Sequence, residues 1–257
     1  MPAVSTRDDD TTLAATLASE AAELLVALRG GDLTGKALGK EGDQRSNHLL
    51  LGRLSEFRPG DAVLSEESAD NKERLTADRV WIIDPLDGTR EYSIAGRIDW
   101  AVHVALWERG DLTVGAVALP SLGITYTSNP EPIAPAIGLA PARTDDRPRV
   151  VISGSRPPVF SEPVAAAIGG ELIPMGSAGA KAMAVVRGEV DAYVHAGGQY
   201  EWDSAAPVAV ARAHGLWCGR IDGTELLYNR DDVYLPDLII CRPELKDAIV
   251  EVTSASR

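Results

Sequence analysis

An apolar run, Val80-Trp81-Ile82-Ile83, ends in Asp84-Pro85-Leu86-Asp87-Gly88-Thr89. A stretch with no polar alternation predicts a strand covered on both faces, with Asp84 at its tip. Pro85 fixes its own φ and biases Asp84 towards extended geometry. Asp87 would stand far from Asp84 on a straight strand, so a turn is expected to bring the two carboxylates to one point. Gly88 allows a ligand to approach the backbone closely. Thr89 places a hydroxyl where a helix can begin, a position that favours anions such as phosphate. Pro and Asp-Gly are also turn residues, so the stretch alone fits a plain strand and turn equally well.

Other acids occupy similar places. Ala62-Val63-Leu64 is followed at once by Ser65-Glu66-Glu67, and Trp202-Asp203-Ser204-Ala205-Ala206-Pro207 opens an Ala/Val-rich helix. Taken singly, Glu66 and Glu67 fit an exposed acidic loop, and Asp203 fits an ordinary N-cap. Taken together, Glu66, Asp84, Asp87 and Asp203 stand at element ends rather than on faces. Carboxylates gathered at one point repel each other unless cations join them. Oxygen-only ligation, with no His or Cys nearby, suits Mg²⁺ and not Zn²⁺. Beside helix starts, such a set suggests phosphoryl chemistry, with one ion activating water and a second stabilising the leaving oxygen.

Composition sets the limits. The chain has 257 residues, 45% apolar and 25% charged, as an ordinary globular protein of one large or two moderate domains would. Its net charge of −13 argues against binding a nucleic-acid polymer or an anionic membrane surface. A phosphorylated substrate would therefore need the field reversed locally, which bound cations do. Met1 to Asp10 is polar and acidic, unlike a secretory signal. Apolar stretches such as Ala101 to Trp107 are too short to span a bilayer. Cys218 and Cys241 read as reduced thiols of a cytoplasmic protein.

The elements that must position the acids follow from periodicity and punctuation. A helix is expected from a cap at Asp10 or Thr11 to about Arg29, with Leu13, Leu17, Leu24 and Leu28 on one face. Lys36 to Gly42 reads as a polar loop, and a second helix starts at Asp43 and carries Leu50, Leu54 and Phe57. Trp100–Trp107 and Thr113–Leu119 read as strands joined by a hairpin, and Ile124–Thr127 as a further strand. The Pro-rich Asn129 to Pro148 marks a boundary between an N-terminal α+β half, residues 1–146, and a C-terminal α/β half, residues 147–257. The second half opens on the strand Arg149–Ile152, followed by a helix over Pro158–Ile168 and a strand near Leu172. Ser177 then caps a helix holding Lys181, where the helix dipole disfavours a positive charge. After the strand Asp191–His195, Gly197 to Glu201 reads as a loop, and Asp203 caps the next helix with Pro207 in its first turn. Asp237–Cys241 is a late strand.

Ser65-Glu66-Glu67, Asp84-Pro85-Leu86-Asp87-Gly88-Thr89 and Trp202-Asp203-Ser204-Ala205-Ala206-Pro207 closely resemble the signatures of the inositol monophosphatase superfamily. Gly176-Ser177-Ala178 with Lys181 and the late Arg220, Asp222-Gly223 and Leu227-Tyr228-Asn229 add to the resemblance, which runs over nearly the whole chain. It implies a layered αβαβα sandwich, an α+β fold, and a lithium-sensitive phosphatase using two to three Mg²⁺ ions. It further implies that Glu66, Asp84 and the Leu86 carbonyl hold one metal, and that Asp84, Asp87 and Asp203 hold a second. Thr89, with Glu66 or Asp43 behind it, resembles the group that orients the attacking water. The turn through Leu86, Asp87, Gly88 and Thr89 would hold the phosphate by backbone N–H groups. The Lys40-Glu41-Gly42-Asp43 loop departs from the usual Thr-containing pattern, and Tyr92 stands where the family often has Phe.

Within the superfamily, Ser-Glu-Glu, Gly-Ser-Ala-Gly-Ala-Lys and Gln199-Tyr200-Glu201-Trp202-Asp203 look like the bacterial 3′(2′),5′-bisphosphate nucleotidases. That branch implies removal of the 3′-phosphate of 3′-phosphoadenosine 5′-phosphate in sulfate assimilation, and a homodimer. Ser177, Lys181, Arg220, His195 and Tyr200 are then candidates for the rest of the nucleotide, each of them equally able to serve a structural role. Two alternatives stay open. One is the same chemistry on inositol monophosphate or fructose 1,6-bisphosphate. The other is an acidic protein that binds divalent ions or anions without turnover.

Overall fold

The computed structural model describes residues 6–129 and 147–255. A first sheet is built from β1 (Ala62–Ser65), β2 (Arg79–Asp87), β3 (Ala101–Glu108), β4 (Asp111–Leu119) and β5 (Ile124–Thr127), lying in chain order. β1 runs parallel to β2, and the later pairs are antiparallel. The second sheet contains β6 (Arg149–Ser153), β7 (Glu171–Met175), β8 (Ala192–Tyr200), β9 (Trp217–Gly219) and β10 (Tyr234–Cys241), in the order β7-β6-β8-β10-β9. The helices are α1 (Thr6–Arg29), α2 (Gly35–Phe57), α3 (Thr89–Tyr92), α4 (Ser161–Ala167), α5 (Ala178–Val186), α6 (Glu201–Ala213) and α7 (Lys246–Ser254).

These elements stack in five layers. α1 and α2 bury Leu17, Leu25, Leu50 and Leu54 on the outer face of the first sheet, against Trp81, Ile83 and Val104. α5 and α6 lie between the sheets, where Met183, Val208 and Val210 meet Val80 and Ile82 from one sheet and Tyr193 and Ile240 from the other. α4 and α7 cover the far face of the second sheet through Val164 and Ile249. β2 is apolar without alternation because Val80 and Ile82 face one helical layer while Trp81 and Ile83 face another. The expected αβαβα sandwich is the observed fold.

Several local expectations are corrected. Lys36 to Gly42 is not a loop but the first two turns of α2. Its glycines serve close packing: a methyl group at Gly42 would lie 2.9 Å from Tyr92 Cε1, and one at Gly39 2.7 Å from Ser93 Oγ. α1 starts at Thr6, and its buried face is Ala14, Leu17, Ala18, Ala21 and Leu25, one position away from the expected Leu24 and Leu28. Phe57 is exposed. Gly197 to Tyr200 completes β8, because Gly197 and Gly198 take left-handed φ angles and form a bulge that lets pairing with β10 resume. Pro207 lies in the interior of α6 rather than its first turn. It has no N–H for the Asp203 carbonyl. Elements the sequence did not suggest include β9 and α7, while α3 starts at Thr89 as expected. The proposed boundary at Asn129 to Pro148 falls largely outside the described residues.

One helical segment, Asp9–Arg29, is long and apolar enough by length and composition to cross a membrane, so the statement that every apolar stretch is too short does not hold. Its apolar side is the face packed on the first sheet.

Candidate active site

The site begins where β2 loses register with β3. Asp84 pairs with His103 and Asp87 with Ala101, so three steps on one strand oppose two on the other. This bulge, not a turn, turns both carboxylates to the same side. It is held from inside. Asp84 Oδ1 accepts from Leu86 N–H at 3.0 Å, and Ser46 Oγ donates to the Pro85 carbonyl at 2.7 Å. Gly88 follows with φ +85°, and α3 starts at Thr89.

Asp87 is buried against the start of α5. It accepts hydrogen bonds from Ser177 Oγ, from Ala178 N–H at 3.0 Å and from Gly179 N–H at 2.6 Å. His103 Nε2 lies 3.3 Å away without hydrogen-bond alignment. Burial works against the Asp87 charge, but His103, Lys181 and Ser177 outweigh it and hold the carboxyl below its ordinary range. His103 is itself pushed up by Asp87, against the effect of burial. Lys181 is buried and donates to the Ser177 carbonyl at 2.6 Å, while burial brings its ammonium down to about 8.

Asp203 enters from the other half of the chain. It sits in the first turn of α6 rather than at its cap, and its Oδ2 accepts from Tyr200 N–H at 2.7 Å. Asp84, Asp87 and Asp203 each bring an oxygen within 4.8 Å of the others. Burial and the neighbouring acids push Asp84 well above the ordinary carboxylate value. Asp203 rises to about 6, by burial and then by the Asp87 charge. Glu66 follows β1 at the rim of the site beside Asp84; loss of water and the Asp203 charge raise it to about 7. The residues fit a hard divalent cation: acid oxygens from β2, the end of β1 and the first turn of α6 converge, and the charges of Glu66, Asp87 and Asp203 make Asp84 harder to ionise. Bound positive charge would relieve that conflict.

Beside this centre, Thr89 Oγ1 lies 3.0 Å from Asp43 Oδ1 and 3.1 Å from the Leu86 carbonyl. Asp43 is on α2, and burial lifts it to about 7. The helix correction therefore places Asp43: the close approach at Gly39 and Gly42 brings α2 against α3.

The remaining candidates separate. Ser177 faces the centre but is already bonded to Asp87 and to Ala180 N–H. Arg220 is tied to Asp237 by paired bonds of 2.6 and 2.8 Å, a structural use of its guanidinium. His195 Nε2 lies 2.8 Å from the Gly197 carbonyl, and burial brings its pKa down to about 4. Sequence reasoning passed over His103. Its signal was a lone imidazole inside the apolar Ala101-Val102-His103-Val104 run. Gly179 is its partner: a methyl group there would lie 2.2 Å from His103 Nε2.

A family model described as the inositol monophosphatase family matches residues 8–256. A 3′-phosphoadenosine 5′-phosphate phosphatase of Mycobacterium leprae is 49% identical over 95% of this chain and 93% of its own length. The protein of that name from Mycobacterium bovis is 52% identical over 81% of this chain and 79% of its own. Among solved structures, CysQ from Bacteroides thetaiotaomicron superposes with a TM-score of 0.76 at 25% identity, covering 91% of this chain and 97% of its own.

Proposed function

The chain belongs to the inositol monophosphatase family, and within it we propose a Mg²⁺-dependent, lithium-sensitive phosphatase that removes the 3′-phosphate of 3′-phosphoadenosine 5′-phosphate, and of its sulfated form, in sulfate assimilation. The observation that carries this reading is the convergence of Asp84, Asp87 and Asp203, with Glu66 at the rim, in a chain about half identical to relatives bearing that name.

In this reading, those four acids and the Leu86 carbonyl hold the ions. When bound, the metal supplies positive charge that polarises the phosphoryl group and makes water a stronger acid. The protein does the rest. Thr89 Oγ1, donating to Asp43, keeps a lone pair free to receive a proton from water and so aims that water. Asp43, poised near 7, can take the proton that passes through the Thr89 oxygen. Leu86 N–H is already given to Asp84 Oδ1, which leaves the N–H groups of Gly88 and Thr89 to face the phosphate. Ser177, Lys181 and His103 keep Asp87 ionised and fixed.

The test is a panel of the bisphosphate nucleotide, inositol monophosphate and fructose 1,6-bisphosphate, with and without Mg²⁺ and Li⁺. The nucleotide should have the highest kcat/KM, Mg²⁺ should be required and Li⁺ should inhibit. If the nucleotide is the poorest of the three, the substrate assignment is wrong. Release of phosphate from none of them would leave only an ion-binding protein. Thr89→Ala should cost about 100-fold in kcat with little change in KM, as loss of a water-orienting group does. The same reading makes the protein a cytoplasmic homodimer, which gel filtration tests against the 27.3 kDa of one chain.

A further inference from the structure

We propose that Tyr200 and Arg156 are the nucleotide-reading residues of this site, Tyr200 receiving the purine face and Arg156 the 5′-phosphate. This rests on the nucleotide reading above and goes beyond it, since the metal-holding residues touch only the phosphate that is removed.

Tyr200 is tethered to the centre, because its N–H bonds Asp203. Its ring stacks on Trp202 at 5.0 Å and 13°, and meets the edge of Tyr234 at 5.7 Å. Tyr234 is fixed in turn by Gly198 N–H donating to its hydroxyl at 3.2 Å. Yet Tyr200 is 41% exposed and Tyr234 42% exposed. A ring braced from below and open above is preorganised for a flat ligand, and stacking on a base is sequence-tolerant and strong.

Arg156, in the loop after β6, lies on the bare side of the β8 bulge. A methyl group at Gly198 would come within 2.3 Å of its Nη1. Its guanidinium is exposed and makes no ion pair with any described acid, in a chain of net charge −13. Gly198 lies two residues before Tyr200 on β8, and the Tyr200 N–H bonds Asp203, so Arg156 stands beside the strand end that leads into the centre. A planar fork of donors without a carboxylate partner suits phosphate. A nucleoside 3′,5′-bisphosphate offers both features, a base and a second phosphate; an inositol phosphate offers neither.

The experiment compares kcat/KM of the wild type, Arg156→Ala, Tyr200→Leu and Tyr200→Phe on 3′-phosphoadenosine 5′-phosphate, 3′-AMP and inositol 1-phosphate. Arg156→Ala should lose about 30-fold on the bisphosphate, mainly in KM, and at least tenfold less than that on 3′-AMP, which lacks the 5′-phosphate. Tyr200→Leu should lose about 10-fold on both nucleotides but not on inositol 1-phosphate, and Tyr200→Phe should restore the loss. Titration calorimetry with AMP, without divalent ions, should show the same two losses in affinity. Equal losses on all three substrates would overturn the proposal, because they would make both residues structural. A wild type that prefers the nucleotide, with variants that keep that preference, would also overturn it while leaving the proposed function intact. A wild type that prefers inositol 1-phosphate would sink the nucleotide reading itself.

Discussion

The two ends of β2 hold acids in opposite ways. At its start, Arg79 reaches Asp10 at 2.9 Å, Asp61 at 3.1 Å and Glu108 at 3.1 Å. Arg58 adds a second contact to Asp10 at 2.8 Å, and Trp81 Nε1 donates to Asp61 at 2.9 Å. Every acid there has a cation or a donor. At its finish, Asp84, Asp87 and Asp203 converge with Glu66 beside them, and among the described residues the cations that face them are His103 and Lys181, both of which serve Asp87 first. One strand thus carries a balanced ion cluster that holds the first sheet to α1, and an unbalanced one that stores repulsion until a cation arrives. Acids that are close but not compensated mark the site better than acids that are merely close.

Substitutions should separate the two ends in opposite directions. Asp84→Asn should reduce kcat about 1000-fold, as loss of a directly stabilising group does. It should also raise the melting temperature of the metal-free protein at the pH values where the Asp84 carboxyl is ionised, because a buried charge among like charges is removed. Steady-state kinetics with calorimetry checks both, and a fall in metal-free stability would break the comparison. Asp10→Asn should do the reverse. It should cost about 2 kcal/mol of stability, as loss of charged hydrogen bonds does when Arg79 keeps Asp61 and Glu108 and Arg58 keeps Asp9, while kcat of the folded protein stays unchanged. Denaturant unfolding monitored beside activity measures it.

The unbalanced end also predicts a pH signature. Glu66 and Asp203 are raised to about 7 and about 6, above ordinary values of 4.5 and 3.8. A raised carboxylate binds its proton more tightly in the folded state, so it contributes stability at low pH and loses it as pH rises through the folded value. The metal-free protein should therefore lose stability between about pH 4 and pH 7 through these groups. The upward shift in melting temperature on adding Mg²⁺ should grow across the same window. A Mg²⁺ shift that shrank with rising pH would contradict the repulsion argument. The smallest effect belongs to the surface. Arg53 pairs with Glu20 and Glu56 in the open, and Arg53→Ala should leave the melting temperature unchanged within error.

The comparison also shows what could be read from residue order. The acids at element ends were legible because Glu66 and the Asp84–Asp87 pair close apolar runs and Asp203 stands at the start of an Ala/Val-rich helix. Asp43 was expected at the start of a helix and lies well inside α2, because Gly39 and Gly42 punctuate a helix only if nothing packs on them. His103 was not legible at all, since a lone imidazole in an apolar strand looks the same whether it faces a helix or a carboxylate. Arg220 was drawn into the site by motif position and is held by Asp237 instead.

Order along the chain alone determined that two apolar-flanked acid motifs and a third acid at a helix start exist, because periodicity and element ends are local properties; the five-layer class followed only from the family resemblance that those motifs carry. The tertiary structure decided that they meet. A bulge turned Asp84 and Asp87 to one side, α6 carried Asp203 across from the second half, and close glycine packing brought Asp43 to Thr89. These outcomes depend on distances between segments remote in sequence, which no local pattern encodes.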